Sequence, residues 1–185
     1  MRQIILLEVL FQSMVDGQPC SWMRVSTQKS KTIIIVQARM GSKRLPGKIL
    51  KKVMGRTLLE YQIERLKRVK KINDIVVATT KNNIDNPIVN LCKDLNCYHF
   101  RGSENDVLLR YLEAAKAFEA KYIVRVNADC PLIDPRVIEK VINYFHASYK
   151  KYDYVSNILE PSYPIGLHTE LFSIDALEKA NNNSI

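Results

Sequence analysis

Cysteine is scarce in this chain of 185 residues, with four in all, at positions 20, 92, 97 and 130. None forms a CxxC pair, which excludes the usual zinc spacing and the dense disulfide framework of a small secreted domain. Reduced thiols in a cytoplasmic protein are the expectation. Long hydrophobic runs are also missing. Ile4 to Phe11 is interrupted by Glu8, preceded only by Arg2, and too short to span a bilayer. No membrane partner is expected. The chain has no Walker loop, no GxGxxG fingerprint, no internal repeat and no aromatic-rich RNA-binding signature. Nucleic acid is therefore not the expected partner either.

What is present is a globular composition, 46% hydrophobic and 25% charged, in a length suited to one domain. The net charge is +9, and it is unevenly spread. Residues 29–71 hold 14 Lys and Arg against 2 acids, so the remainder of the chain is net negative. Six of those cations, Lys51, Lys52, Lys67, Arg68, Lys70 and Lys71, read as a solvated helix face and its approaches. Residues 1–30 are set apart as an N-terminal extension. LEVLFQ (Leu7 to Gln12) resembles a viral 3C-type protease recognition sequence, and Met23 is an alternative natural start. Residues 31–185 carry the fold.

Ile33 to Val36 is β-branched throughout, as a buried strand requires. It runs into a polar segment in which Arg39, Lys43, Arg44 and Lys48 surround Gly41, Pro46 and Gly47. Packing four cations into ten residues is repulsive unless an anion sits among them, and glycines let main-chain amides approach it. From Thr57, a plausible N-cap, Leu59, Ile63, Leu66 and Val69 recur at helical spacing. Ile75 to Thr79 is a second strand, Ile88 to Leu95 a second amphipathic helix, and Cys97 to Phe100 a short third strand. Ser103 is expected to cap a helix whose apolar face carries Tyr111, Leu112, Ala115 and Phe118. Tyr122 to Val126 is the fourth strand, and Pro135 opens another helix with Asp134 as its cap. Asp153 to Asn157 and Leu167 to Phe172 read as extended, and a last helix starts at Asp175.

Strands alternating with helices predict a largely parallel sheet covered on both faces, with ligands beyond the carboxyl ends of the strands. The segments after Val36 and after Val126 both fall there. The second contains Asp129, a carboxylate suited to a magnesium ion that carries phosphates, though an Asx turn before Pro131 is the plainer alternative.

ARMGSKRLPGKIL, VVATT, FRGSENDVLLRY, VRVNADCPLIDP and YDYVSN follow one another in the order of the SpsF-like, spore-coat polysaccharide cytidylyltransferases. The first segment also resembles the ARxxSxRLPGK loop of the 3-deoxy-manno-octulosonate and acylneuraminate cytidylyltransferases. The resemblance runs from about Ile33 to Ala180. It implies an α/β fold, a three-layer α/β/α Rossmann-like sheet of the nucleotide-diphospho-sugar transferase (GT-A-like) type, cut short at its C-terminus. The activity it implies is a nucleotidyltransferase one: CTP, or another nucleotide triphosphate, reacts with a sugar or ulosonic acid and pyrophosphate is released. Mg2+ is the implied cofactor, and a homodimer is compatible with it.

Position by position, the resemblance puts Ala38, Arg39 and Met40 near the base. Gly41, Ser42, Arg44 and Lys48 then hold phosphates, Asp129 holds the metal, and Arg110 lies near the nucleotide. Arg39, Lys48 and Asp129 form the catalytic set, and Gly166 and Glu170 face the sugar. There are two departures. His168 stands where the family usually has Asp, which bears on the acceptor, and a second metal-binding aspartate falls beyond Ile185 in relatives. Two alternatives stay open: a nucleotide-sugar-dependent glycosyltransferase on the same kind of fold, and a non-catalytic nucleotide-binding fragment.

Overall fold

The computed structural model describes residues 30–42, 45–148, 151–158 and 162–183. The expectations for the first 29 residues, and for Arg44, lie outside the described residues. Strand β1 is Thr32–Gln37, followed by a 3-10 turn at Lys48–Leu50 and a small antiparallel pair, β2 (Lys52–Val53) and β3 (Arg56–Thr57). Helix α1 (Leu58–Leu66) leads to β4 (Asp74–Thr80), a 3-10 turn at Asn83–Asp85 and α2 (Asn86–Asp94). Then come β5 (Tyr98–Gly102), α3 (Val107–Ala117), β6 (Tyr122–Asn127) and α4 (Pro135–Ala147). The described chain closes with β7 (Tyr154–Ser156), β8 (Glu170–Ser173) and α5 (Ile174–Asn183). No helix among the described residues is long and apolar enough to cross a membrane.

Six strands form one sheet in the order β5-β4-β1-β6-β8-β7. The first four are parallel, while β8 runs antiparallel to β6 and β7 antiparallel to β8. Strand β1 sits between two neighbours and is buried on both faces, which is why its sequence is a continuous apolar run rather than an alternating one. Its side chains still alternate in direction. Ile34 and Val36 enter one core, with Leu59, Ile63 and Leu66 of α1 and Ile138 and Ile142 of α4. Ile33 and Ile35 enter the other, with Leu112 and Ala115 of α3 and Leu177 of α5. Each fully buried side chain of this size contributes about 1.5–3 kcal/mol over exposure. Two such cores fix β1 as the axis of a three-layer α/β/α domain.

The helix starts show which local signals decided the outcome. Thr57 caps α1 as expected: its hydroxyl accepts from Glu60 N at 3.1 Å, and the Glu60 carboxylate accepts from Thr57 N at 2.8 Å. Asp134 caps α4 by accepting from Arg136 N at 2.8 Å. The expected cap at Ser103 is corrected. Ser103 Oγ accepts from Asp106 N at 3.0 Å, and Asp106 itself caps α3 by accepting from Leu109 N at 2.8 Å. The serine shapes the turn and hands the capping position to the aspartate.

Candidate functional site

From β1 the chain builds outward through β4 to β5, then returns to place β6 on the other flank of β1. Loops leaving β1 and β6 diverge at this reversal and open a crevice beyond the strand ends. Gln37 and Asn127, the last residues of the two strands, are register partners at its floor. The cavity above them encloses about 440 Å³ and is lined by Arg39, Ser42, Lys48, Arg125 and Asp129 among others.

The loop after β1 is held by its main chain. Ala38 N donates to Ala78 O at 3.1 Å, Met40 N to Asp85 Oδ1 at 2.7 Å, and Met40 O accepts from Ser42 N at 2.8 Å and Gly47 N at 3.0 Å. Gly47 closes this circuit at φ +66°, a left-handed conformation that suits glycine, and a Cβ there would lie 3.2 Å from Met40 Cε. Lys48 then begins the 3-10 turn with its ammonium facing the second loop.

The loop after β6 is held from α1. Buried Gln62 donates from Nε2 to Asn127 O at 2.6 Å, and Arg65 donates from Nε to Ile133 O at 2.6 Å. Between these anchors Asp129 accepts from Lys48 Nζ, joining the two loops. Partial burial pushes the Asp129 carboxyl up, but the Lys48 ammonium outweighs it and holds the group below the usual range. A pair this exposed is worth at most about 1 kcal/mol of stability, so folding alone does not account for it. Burial and the adjacent Asp129 raise the Cys130 thiol to about 11, which keeps it protonated at neutral pH.

Of the residues singled out from sequence, Arg39, Ser42, Lys48 and Asp129 meet at this cavity. Ala38 is buried beneath it, Met40 is half-buried, and Gly41 is exposed in the same loop. Glu170 is connected through Arg125, whose Nη1 lies 2.5 Å from its carboxylate, while Gly166 sits in a turn at φ +99° away from the cavity lining. Arg110 is placed differently from a surface ligand contact. It is fully buried in α3, with Cγ only 2.8 Å from where a Cβ on Gly102 would stand. Its Nη1 donates to Ser103 O, while Nε and Nη2 have no hydrogen-bond partner among the described residues. Burial lowers its pKa, Tyr111 and Asp85 oppose that, and nearby Arg39 adds to the lowering. Arg110 is therefore not among the residues that line the cavity.

Sequence reasoning missed Gln37, Asn127, Arg125, Asp85 and Gln62. Extending two strands by one residue each would have found the first two. The other three carry no local signal, since their partners are distant in sequence.

Residues 33–184 match the family model described as cytidylyltransferase. The chain is 47% identical to a Methanocaldococcus jannaschii protein over 156 residues, covering 83% of this chain and 61% of that protein. It is 30% identical to the spore coat polysaccharide biosynthesis protein SpsF of Bacillus subtilis over 149 residues, covering 78% and 60%. The chain thus spans about 60% of the length of these relatives. Among solved structures, a cytidylyltransferase from Leptospira borgpetersenii superposes with a TM-score of 0.81 at 37% identity, over 84% of this chain and 65% of that one. A CMP:2-keto-3-deoxy-manno-octonic acid synthetase complexed with CTP shares the fold, with a TM-score of 0.64 at 19% identity over 84% and 79%. The crevice at the reversal of strand order, its basic loop and the family match over residues 33–184 converge, and the chain belongs to the cytidylyltransferase family.

Proposed function

We propose that the chain binds CTP in the crevice between β1 and β6 and transfers its cytidylyl group to a sugar or ulosonic acid. Pyrophosphate is released, and the activated sugar serves surface polysaccharide synthesis. The observation that carries this reading is the cavity itself, where Arg39, Ser42 and Lys48 of one loop face Asp129 of the other. The names of the relatives, SpsF and the 3-deoxy-manno-octulosonate cytidylyltransferases, support the acceptor class.

In the transfer, an acceptor oxygen attacks the α-phosphorus, and the bond to the bridging oxygen breaks with its electron pair leaving on pyrophosphate. Such transfers depend on positioning and on neutralising charge. Arg39 and Lys48 meet the charge that builds on the leaving pyrophosphate, and Arg44 and the Gly41–Ser42 main chain add phosphate contacts. The N–H groups of Ala38 and Met40 are already committed, so the base is read by the rest of the main chain between them. Arg110 raises the positive potential from below, and Glu170, oriented by Arg125, borders the acceptor, with Gly166 in the turn that precedes it outside the cavity lining.

No three His, Cys, Asp or Glu side chains converge among the described residues, and among them Asp129 is the one carboxylate that lines the cavity. One carboxylate plus substrate phosphates is a usual donor set for Mg2+, and the residues fit that ion. Held there with CTP, Mg2+ would supply charge neutralisation on the triphosphate.

The test is pyrophosphate release from CTP and Mg2+ across a panel of ulosonic acids and sugar phosphates. Asp129→Asn and Lys48→Ala are each expected to lower kcat/KM by about 100-fold or more. Near-wild-type turnover of either variant overturns the assignments. Sugar transfer without pyrophosphate release would instead identify a glycosyltransferase, and CTP binding without turnover a nucleotide-binding fragment.

A further inference from the structure

We propose that Asp85 is the positioning residue of the nucleotide loop, its buried carboxylate fixing the backbone of Met40 so that Arg39, Gly41 and Ser42 face the ligand. This rests on the reading of the crevice as a nucleotide site. Asp85 is only 1% exposed, and its two oxygens are divided between two parts of the fold. Oδ2 accepts from Thr79 Oγ1 at 3.0 Å, Thr80 N at 3.1 Å and Thr80 Oγ1 at 2.5 Å, all at the end of β4. Oδ1 accepts from Met40 N at 2.7 Å, 45 residues away. One oxygen is tied to the sheet and the other to the loop.

The ordinary job for an aspartate at this point is to cap the following helix, since Asp85 immediately precedes α2 with Pro87 in its first turn. It makes no side-chain cap bond and sits at φ −88°, ψ −1°, with its carboxylate turned back towards the loop. A buried carboxylate is costly, and one beneath a triphosphate site also repels the ligand. What offsets both is that amide bonds to a carboxylate are about twice as strong as neutral ones. Burial pushes the Asp85 carboxyl up, yet its hydrogen bonds from Thr80, Met40 and Thr79 outweigh this and leave it below the usual range. The group is ionised at neutral pH, and the buried Arg110 lies within electrostatic reach of it. The anion is thus spent on donors within the protein and acts on the ligand through the loop it orients.

The experiment compares the full chain with Asp85→Asn by CTP titration in Mg2+ and by residue-resolved amide exchange without ligand. Asn keeps the size but turns a donor towards groups that are themselves donors. The expected result is CTP binding weakened about tenfold or more, with exchange at Met40 to Ser42 accelerated at least about tenfold. Val36 in β1 and Val77 in β4 keep their protection. KM for CTP rises more than kcat falls. If Asp85→Asn does not fold, Met40→Pro removes the loop's donor while leaving the carboxylate on its threonines, and the same loss of CTP affinity is expected with faster exchange at Gly41 and Ser42. CTP affinity and loop exchange within twofold of wild type overturn the inference. So does exchange that accelerates equally at Val36 and Val77, which would make Asp85 a support of the sheet alone. Wild-type protein that binds no CTP overturns the nucleotide reading instead, and the exchange pattern still reports whether Asp85 sets the loop.

Discussion

The two loops that make the crevice follow neighbouring buried strands, β1 and β6, yet they are held in opposite chemical ways. The basic loop is gripped by an acceptor, the Asp85 carboxylate, which takes the Met40 N–H. The acidic loop is gripped by donors, the Gln62 amide and the Arg65 guanidinium, which bind the carbonyls of Asn127 and Ile133. In each case the anchor offers the loop's main chain a partner whose polarity is opposite to the charge the loop presents to the cavity. The cationic loop rests on an anion, and the loop bearing Asp129 rests on a neutral amide and a cation. Each anchor holds its own loop from behind, so the front is left to meet a ligand and the other loop, as Lys48 and Asp129 do.

The strongest way to break this comparison is to remove the donor under the acidic loop. Gln62→Leu keeps the volume but leaves Asn127 O without its 2.6 Å donor. It also deletes Gln62 Oε1, which is buried without a hydrogen-bond partner among the described residues. Two terms of about 1–3 kcal/mol then oppose each other, and the melting temperature should move by only a few degrees. Turnover should still fall by about 10- to 100-fold, because Asp129 lies two residues beyond the released carbonyl and small misplacements are costly. Calorimetry beside the pyrophosphate assay checks both. Unchanged turnover would mean that the second loop holds itself.

A smaller effect is expected at the other donor. Arg65→Met retains the apolar stem and loses the bond to Ile133 O, four residues past Asp129. We expect a loss of about 1 kcal/mol in urea unfolding and a fall in turnover of less than threefold. An effect on turnover as large as that of Gln62→Leu would show that the loop moves as one body, not from its strand end.

This division also explains what could be read in the sequence. The groups at the front, Arg39, Lys48 and Asp129, were legible because each sits in a charged or glycine-bearing segment directly after an apolar strand. Periodicity likewise gave β1, β4, β6 and α4 to within a residue or two, and α1 with an end three residues too late at Val69. The anchors were not legible. Asp85, Gln62 and Arg65 act on partners 45, 65 and 68 residues away, and locally they look like a helix start and two turns of an amphipathic helix. The resemblance placed Arg110 near the nucleotide, and nothing local reveals that Gly102 lets it sink fully into the fold. The antiparallel direction of β7 and β8 was equally hidden, since short extended segments carry no sign of strand polarity.

The mildest test exploits titration, because only one of the two anchors has an acid-range proton equilibrium. Asp85 has a folded pKa below its unfolded value of about 3.9, owing to hydrogen bonds that outweigh burial. The stability it contributes is therefore complete above pH 4 and is lost as the pH falls through the folded pKa. The Gln62 amide has no proton to titrate. Asp129 titrates there too, its pKa held down by Lys48 against partial burial, so the cavity face of the acidic loop responds while its anchor does not. On acidification below pH 4, the Met40 amide resonance should shift along a titration curve whose midpoint lies below 3.9, and the Gln62 side-chain amide should stay nearly still. Asp85→Asn should abolish the Met40 transition and leave that of Asp129 in place. A Met40 curve that survives the substitution would assign the proton to Asp129 and make the two loops electrostatically one unit.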